Sequence, residues 1–148
     1  MRHDDVVAAC EIYERWDALA RSGDIDGLLA LYAPDATFES PLVPRLMKRT
    51  DGTLRGHEEI RAFVVRGTER RPNELVRWHR TGEVLTDGHL LFWEYPRETP
   101  DGDQVDIAEM MEIVNGRIQH HRIYWGWRGF ALLSDTNPAE PETERIRH

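Results

Sequence analysis

Residues 101–127 read DGDQVDIAEMMEIVNGRIQHHRIYWGW, and this stretch decides the fold. Two turn signals, Asp101-Gly102 and Asn115-Gly116, bracket a run in which apolar residues alternate instead of recurring every three or four positions. Asp-Gly and Asn-Gly favour two-residue hairpins, because both central residues must accept positive φ. On the strand between the turns, one face holds Val105, Ile107, Glu109, Met111 and Ile113; the other holds Gln104, Asp106, Ala108, Met110 and Glu112. The first set is the more apolar and is expected to face the core. Glu109 is then the odd member of a greasy face.

Pairing arithmetic extends this outward. With Asp101-Gly102 as a two-residue turn, paired positions sum to 203, so Glu94 falls opposite Glu109, Phe92 opposite Met111 and Pro96 opposite Ile107. With Asn115-Gly116 treated likewise the sum is 231, which sets Glu109 opposite Arg122 and Met111 opposite His120. Two carboxylates, Glu94 and Glu109, would look at each other inside an apolar interior. Burial and a like-charged neighbour both disfavour ionisation, so one is expected to keep its proton and act as an acid while the other acts as a base. The competing reading lets Arg122 neutralise one glutamate in a structural network. A one-residue bulge would also separate the pair.

Further out, Asp87-Gly88 adds a third turn, and the alternating region divides into four strands at about 74–86, 89–98, 103–114 and 117–127. The preceding half is helical. Val6, Ala9, Cys10, Tyr13, Trp16 and Ala20 form one stripe over residues 6–22, and Asp24 caps a second helix with Ile25, Leu28, Leu29 and Tyr32 on its stripe. Pro34 ends that helix, residues 37–40 suggest a short strand, and residues 42–55 read as a loop. Gly56 opens a third helix with Ile60, Phe63, Val64 and Gly67 on its stripe, closed by Arg70-Arg71-Pro72. Helices followed by a meander argue for an α+β class: three N-terminal helices packed on a strongly curved, mainly antiparallel sheet, forming a cone with an internal cavity. Residues 1–133 would make a single domain, and residues 134–148 a Pro- and Glu-rich tail that frays.

Composition fits. The chain has 148 residues, 17.3 kDa and 40% apolar residues, enough for a core without disulfides or metals. Its formal charge of −8 argues against nucleic acid and anionic membranes as partners. Residues 41–80 run locally basic, which reads as a solvated face. Lys48 is the sole lysine among 19 basic residues, a bias that points to a GC-rich bacterial genome. Cys10 stands alone, so no intrachain disulfide can form; with no signal peptide and no membrane span, a cytoplasmic location is expected. His120-His121 is not a metal motif, since neighbours on a strand point to opposite faces. No metal site and no cofactor are expected.

The residues now reached resemble a known family. GDIDGLLALYAPDATFESP at residues 23–41 is similar to the opening of nuclear transport factor 2-like proteins, whose enzymes include ketosteroid isomerases and SnoaL-like polyketide cyclases. RGHEEIRAF at 55–63 resembles their third helix, and Gly116-Arg117-Ile118 with Tyr124-Trp125-Gly126-Trp127 their last strand. The resemblance spans residues 6–133 and implies a cone with an apolar pocket, often as a homodimer. In ketosteroid isomerases a first-helix Tyr donates to the substrate oxygen; Trp16 stands there. Their general base is an Asp before the first-strand Pro; Ser40 stands there and cannot serve unaided. Their second oxyanion donor aligns with Glu109 if one turn residue is dropped. In limonene-epoxide hydrolases the acid aligns with Glu94, but its Arg partner aligns with Phe92 and the water-orienting Asp with Ile123. The family also implies a bulge on the last strand, which would turn His121 and Trp125 inward in place of Arg122 and Tyr124.

Two readings follow. In the first the chain is a cofactor-independent acid–base enzyme of isomerase, cyclase, dehydratase or epoxide-hydrolase type, acting on a small apolar oxygen-bearing molecule. Glu109 and Glu94 are its acid and base and His121 assists. The expected walls are Trp16, Tyr13, Tyr32, Phe38, Ser40, Phe63, Phe92, Val105, Ile107, Ile123 and Trp125. In the second the chain is a non-catalytic ligand-binding or dimerising module, favoured by Ser40, Ile123 and Phe92. Trp93, Tyr95, Ala108 and Met110 would form an apolar outer sheet face, covered by a second copy of the chain.

Overall fold

The computed structural model describes residues 3–70, 83–94 and 106–135. Helix α1, His3–Ser22, carries acids in its first turn and buries Ala9, Ile12, Tyr13 and Trp16 at helical spacing. Helix α2, Ile25–Ala30, is capped by Asp24, whose side chain accepts from the Gly27 N–H at 2.9 Å. Strand β1, Tyr32–Glu39, begins five residues earlier than residues 37–40 suggest. Pro34 is tolerated there because the pairing shifts between Tyr32 and Thr37, so no ladder bond misses its N–H.

Residues 42–55 are not a loop. They form helix α3, Leu42–Met47, and strand β2, Thr53–Arg55. Pro44 lies in the first turn of α3, where a missing N–H costs nothing. Leu42, Val43 and Leu46 are buried, and Lys48 closes the helix at φ 53°. Helix α4, Gly56–Arg70, follows, then β3, Leu85–Thr86; β4, Leu90–Glu94; β5, Ile107–Val114; β6, Arg117–Trp125; and helix α5, Trp127–Asp135.

The strands form one six-stranded sheet in the order β2-β1-β6-β5-β4-β3, with β1 parallel to β6 and every other pair antiparallel. The sheet curls without closing, and α1, α2 and α4 cover its inner face. The core runs between them through Trp93, Tyr32, Leu29, Ile60, Leu91, Met111 and Ile118, all nearly inaccessible.

Two register details decide which side chains enter that interior. Asn115 and Gly116 adopt φ 52° and 73°, the turn expected of Asn-Gly, and Ile113 pairs with Ile118 as the sum of 231 requires. The ladder then slips by one. Glu112 pairs with His120, so Gln119 is an extra residue on β6, and from there His121, Ile123 and Trp125 share a face with Met111, Glu109 and Ile107. Between β4 and β5 the sum is 202, not 203: Trp93 pairs with Glu109 and Glu94 with Ala108.

That single position overturns part of the sequence reading. Leu91 and Trp93 are buried at 0% and 1%, whereas Leu90 and Phe92 are 45% and 40% exposed. Glu94 is exposed on the outer face, so it neither enters the interior nor meets Glu109. Phe92 lies outside with it and is not a pocket wall. Both faces of β4 are apolar, so alternation alone does not choose between them. Burying the Trp93 indole against Tyr13 and Trp16 (ring centroids 5.0 and 5.7 Å apart) covers the larger apolar surface. The two-residue turn at Asp101-Gly102, Tyr95 and Val105 lie outside the described residues.

Candidate functional site

A cavity of about 290 Å³ opens between α1, α2 and α4 and the inner face of β1, β5 and β6. Its walls include Trp16, Tyr32, Phe38, Phe63, Ile107, Glu109, Ile123 and Trp125. These come from α1, α4, β1, β5 and β6, and Ile25 and Leu28 add the buried side of α2.

Glu109 is 2% exposed and His121 0%. His121 Nε2 lies 2.9 Å from Glu109 Oε1, and its Nδ1 lies 2.7 Å from the Tyr32 hydroxyl. Trp16 Nε1 donates to that same hydroxyl at 3.1 Å. An indole nitrogen can only donate, so the Tyr32 oxygen accepts from Trp16, and we assign the hydroxyl proton to the bond with His121 Nδ1. In that assignment the imidazole carries its proton on Nε2 and donates to Glu109 Oε1. Burial pushes the Tyr32 phenol far above its ordinary range; the Glu109 charge adds to this and the Trp16 hydrogen bond opposes it. Tyr32 therefore keeps its proton, as this direction of donation requires. Edge contacts from Trp16 and Phe38 hold the imidazole plane at centroid distances of 5.4 and 4.9 Å.

Tyr32 and Glu109 line the cavity; His121 stands behind them and joins them. No Arg or Lys pairs with Glu109 among the described residues. Arg122, the sequence candidate for that role, points outward. Its Nε and one terminal nitrogen donate to Glu39 Oε2 at 2.9 and 2.6 Å, and the other terminal nitrogen donates to the Tyr124 hydroxyl at 3.1 Å. The Arg122 guanidinium holds the Glu39 carboxyl below its usual range, and His120 reinforces it with an Nε2 contact of 2.8 Å.

Other expected wall residues divide. Ser40 is 4% exposed but does not line the cavity; its hydroxyl accepts from the Leu42 N–H at 3.2 Å and from Trp125 Nε1 at 3.1 Å, which holds that indole in place. Tyr13 is buried against Trp93 and does not reach the cavity. The sequence reading missed Leu19, Leu28, Leu42, Leu46 and Gly67 on the walls, and Asp17, Arg21, Asp24 and Thr68 beside them. Continuing the stripes already noted on α1, α2 and α4 would have found several; α3 gave no stripe because its region read as a loop. Among the described residues no three His, Cys, Asp or Glu side chains gather as metal ligands, and no helix is long and apolar enough to cross a membrane.

Comparison with known proteins gives a consistent picture. The SnoaL-like domain model matches residues 13–121. A SnoaL-like protein of unknown function from Burkholderia thailandensis superposes with a TM-score of 0.65 at 18% identity, covering 81% of this chain and 95% of its own. A protein of ketosteroid isomerase-like fold from Catenulispora acidiphila, in complex with trimethylamine, gives 0.62 at 18% identity, covering 86% and 94%. A candidate polyketide cyclase from Sinorhizobium meliloti gives 0.58 at 19%, covering 77% and 94%. At these identities the likeness is one of fold. No curated protein matches the chain.

Proposed function

Because the chain belongs to the SnoaL-like domain family, we propose that it is a cofactor-independent acid–base enzyme acting on a small, mostly apolar, oxygen-bearing molecule held in the cavity. One observation carries the proposal: Glu109 sits on the wall of a mostly apolar chamber, with one oxygen fixed by His121 and no protein partner for the other among the described residues. A carboxylate so placed is starved of water, pre-oriented and free to take a proton from carbon or oxygen and return it elsewhere on the same molecule. His121 is a positioning residue. Its tautomer is set by Tyr32, and Tyr32 by Trp16, so the four groups fix where the Glu109 lone pairs point. Isomerisation, cyclisation, dehydration and epoxide opening all use such a group. The trimethylamine held by the Catenulispora neighbour supports a small-molecule container.

The second reading, a binding module without turnover, draws on Ser40. At the position that the isomerase resemblance gives to a base, its oxygen is already engaged by Leu42 and Trp125. The test is mass spectrometry of small molecules that co-purify with the chain, followed by turnover assays. Glu109→Gln is expected to lower kcat by about 10²–10⁴-fold. Turnover at the wild-type rate in that variant refutes the assignment.

We further infer that the outer sheet face meets a second copy of the chain. Leu85, Phe92 and Met110 form a row across β3, β4 and β5, flanked by Leu90 and Tyr124. So continuous an apolar row is more than a solvated sheet face ordinarily carries.

A further inference from the structure

Buried carboxyl groups in folded proteins are ordinarily paired with a basic side chain, and no Arg or Lys pairs with Glu109 among the described residues. Its hydrogen-bond partner among the described residues is the His121 imidazole, at 2.9 Å. The charged groups on the cavity wall are Glu109, Asp17, Asp24 and Arg21, three carboxylates against one guanidinium. That guanidinium already binds Asp17 at 2.9 Å. The chamber is therefore negative, which disfavours an anionic guest. The cavity walls that Glu109 shares also carry the aromatic residues Trp16, Trp125, Phe38 and Phe63. Aromatic rings attract cations through their quadrupole, most strongly where water is excluded.

We propose that the molecule this cavity takes carries a protonated amine, whose ammonium N–H donates to Glu109 and whose carbon body packs on the aromatic walls. The inference rests on the small-ligand reading above and names the cation that reading leaves open; the amine accompanies the oxygen function and does not replace it. Primary, secondary and tertiary ammonium groups all supply the N–H that Glu109 needs. A quaternary ammonium would keep only the ring contacts.

The experiment compares cyclohexylammonium chloride with cyclohexanol, a neutral ring of the same size, by isothermal titration calorimetry and ligand-observed NMR at pH 7. The amine is expected to bind the full chain at least about tenfold more tightly than the alcohol, with most of that advantage lost in Glu109→Gln. Equal binding of the two rings to the wild-type chain overturns the amine inference and leaves the small-ligand reading standing. Binding of neither at millimolar concentration overturns both. Tight amine binding that Glu109→Gln leaves unchanged also overturns the inference, since the counter-ion would then lie elsewhere. The comparison on the wild-type chain stands whether or not Glu109→Gln folds.

Discussion

Tyr32→Phe removes one oxygen and two buried hydrogen bonds. The Trp16 N–H loses its acceptor at 3.1 Å, and His121 Nδ1 loses its donor at 2.7 Å. Trp16 is 9% exposed and His121 0%, so neither recovers the bond from bulk water. Each orphaned buried group costs about 1–3 kcal/mol, and roughly 1 kcal/mol returns because the phenol oxygen no longer has to be desolvated. The net loss is about 1–5 kcal/mol, or roughly 3–15 °C in Tm for a domain of this size. Urea titration at pH 7 measures it, with the m-value unchanged if the folded state keeps its compactness. A double-mutant cycle with Trp16→Phe gives the sharper reading. In the Tyr32→Phe background the indole N–H is already an orphan, so removing it costs about 1 kcal/mol less than in the wild type. A Tyr32→Phe penalty below about 0.5 kcal/mol, with additive double mutants, would refute the hydrogen-bond chain on which the Glu109 assignment depends.

Three other outcomes are expected. A side chain at Gly67 on α4 meets nothing within 4 Å and needs no special φ, so Gly67→Ala gains about 0.5–1 kcal/mol of helix stability, while Gly67→Phe narrows the cavity and weakens ligand uptake in the same calorimetric assay. The Glu39 carboxyl, held below its ordinary value of 4.5 by Arg122, gives stability that is fully present above pH 4.5 and lost as pH falls through the lowered folded value; Arg122→Gln flattens that acid limb in pH-dependent urea titrations. Phe92→Lys, on the proposed outer-face contact, shifts sedimentation towards the monomer without changing the thermal unfolding of dilute protein.

Much of the architecture follows from local signals that nothing distant opposes. The stripe of α1, the Asp24 cap and the Asn115-Gly116 turn each act within a few residues, and each appears where the sequence puts it. Failures occur where two local answers are nearly equal. On β4, Leu90 and Phe92 balance Leu91 and Trp93, and a one-position shift in pairing with β5 selects the face. At α3, Pro44 suggests a loop, yet proline is harmless in a first turn. Glu109 announced itself as a carboxylate on an apolar stripe. Its neighbourhood did not, because Tyr32 and His121 meet across 89 positions of chain and only the sheet order β1-β6-β5 brings them together. The inward turn of His121 follows from the family's bulge and from no spacing rule.

That extra residue on β6 has a consequence for how the chain tolerates change. Gln119 is slack: excising it would leave Ile118 opposite Ile113, His120 opposite Glu112 and His121 opposite Met111, so every later side chain would stay on its present side. The same excision two or three residues further on would evert the wall, sending Ile123 and Trp125 to solvent and drawing Tyr124 inside. Along one strand, then, adjacent single-residue deletions range from nearly silent to ruinous, and the boundary between them is the spare glutamine.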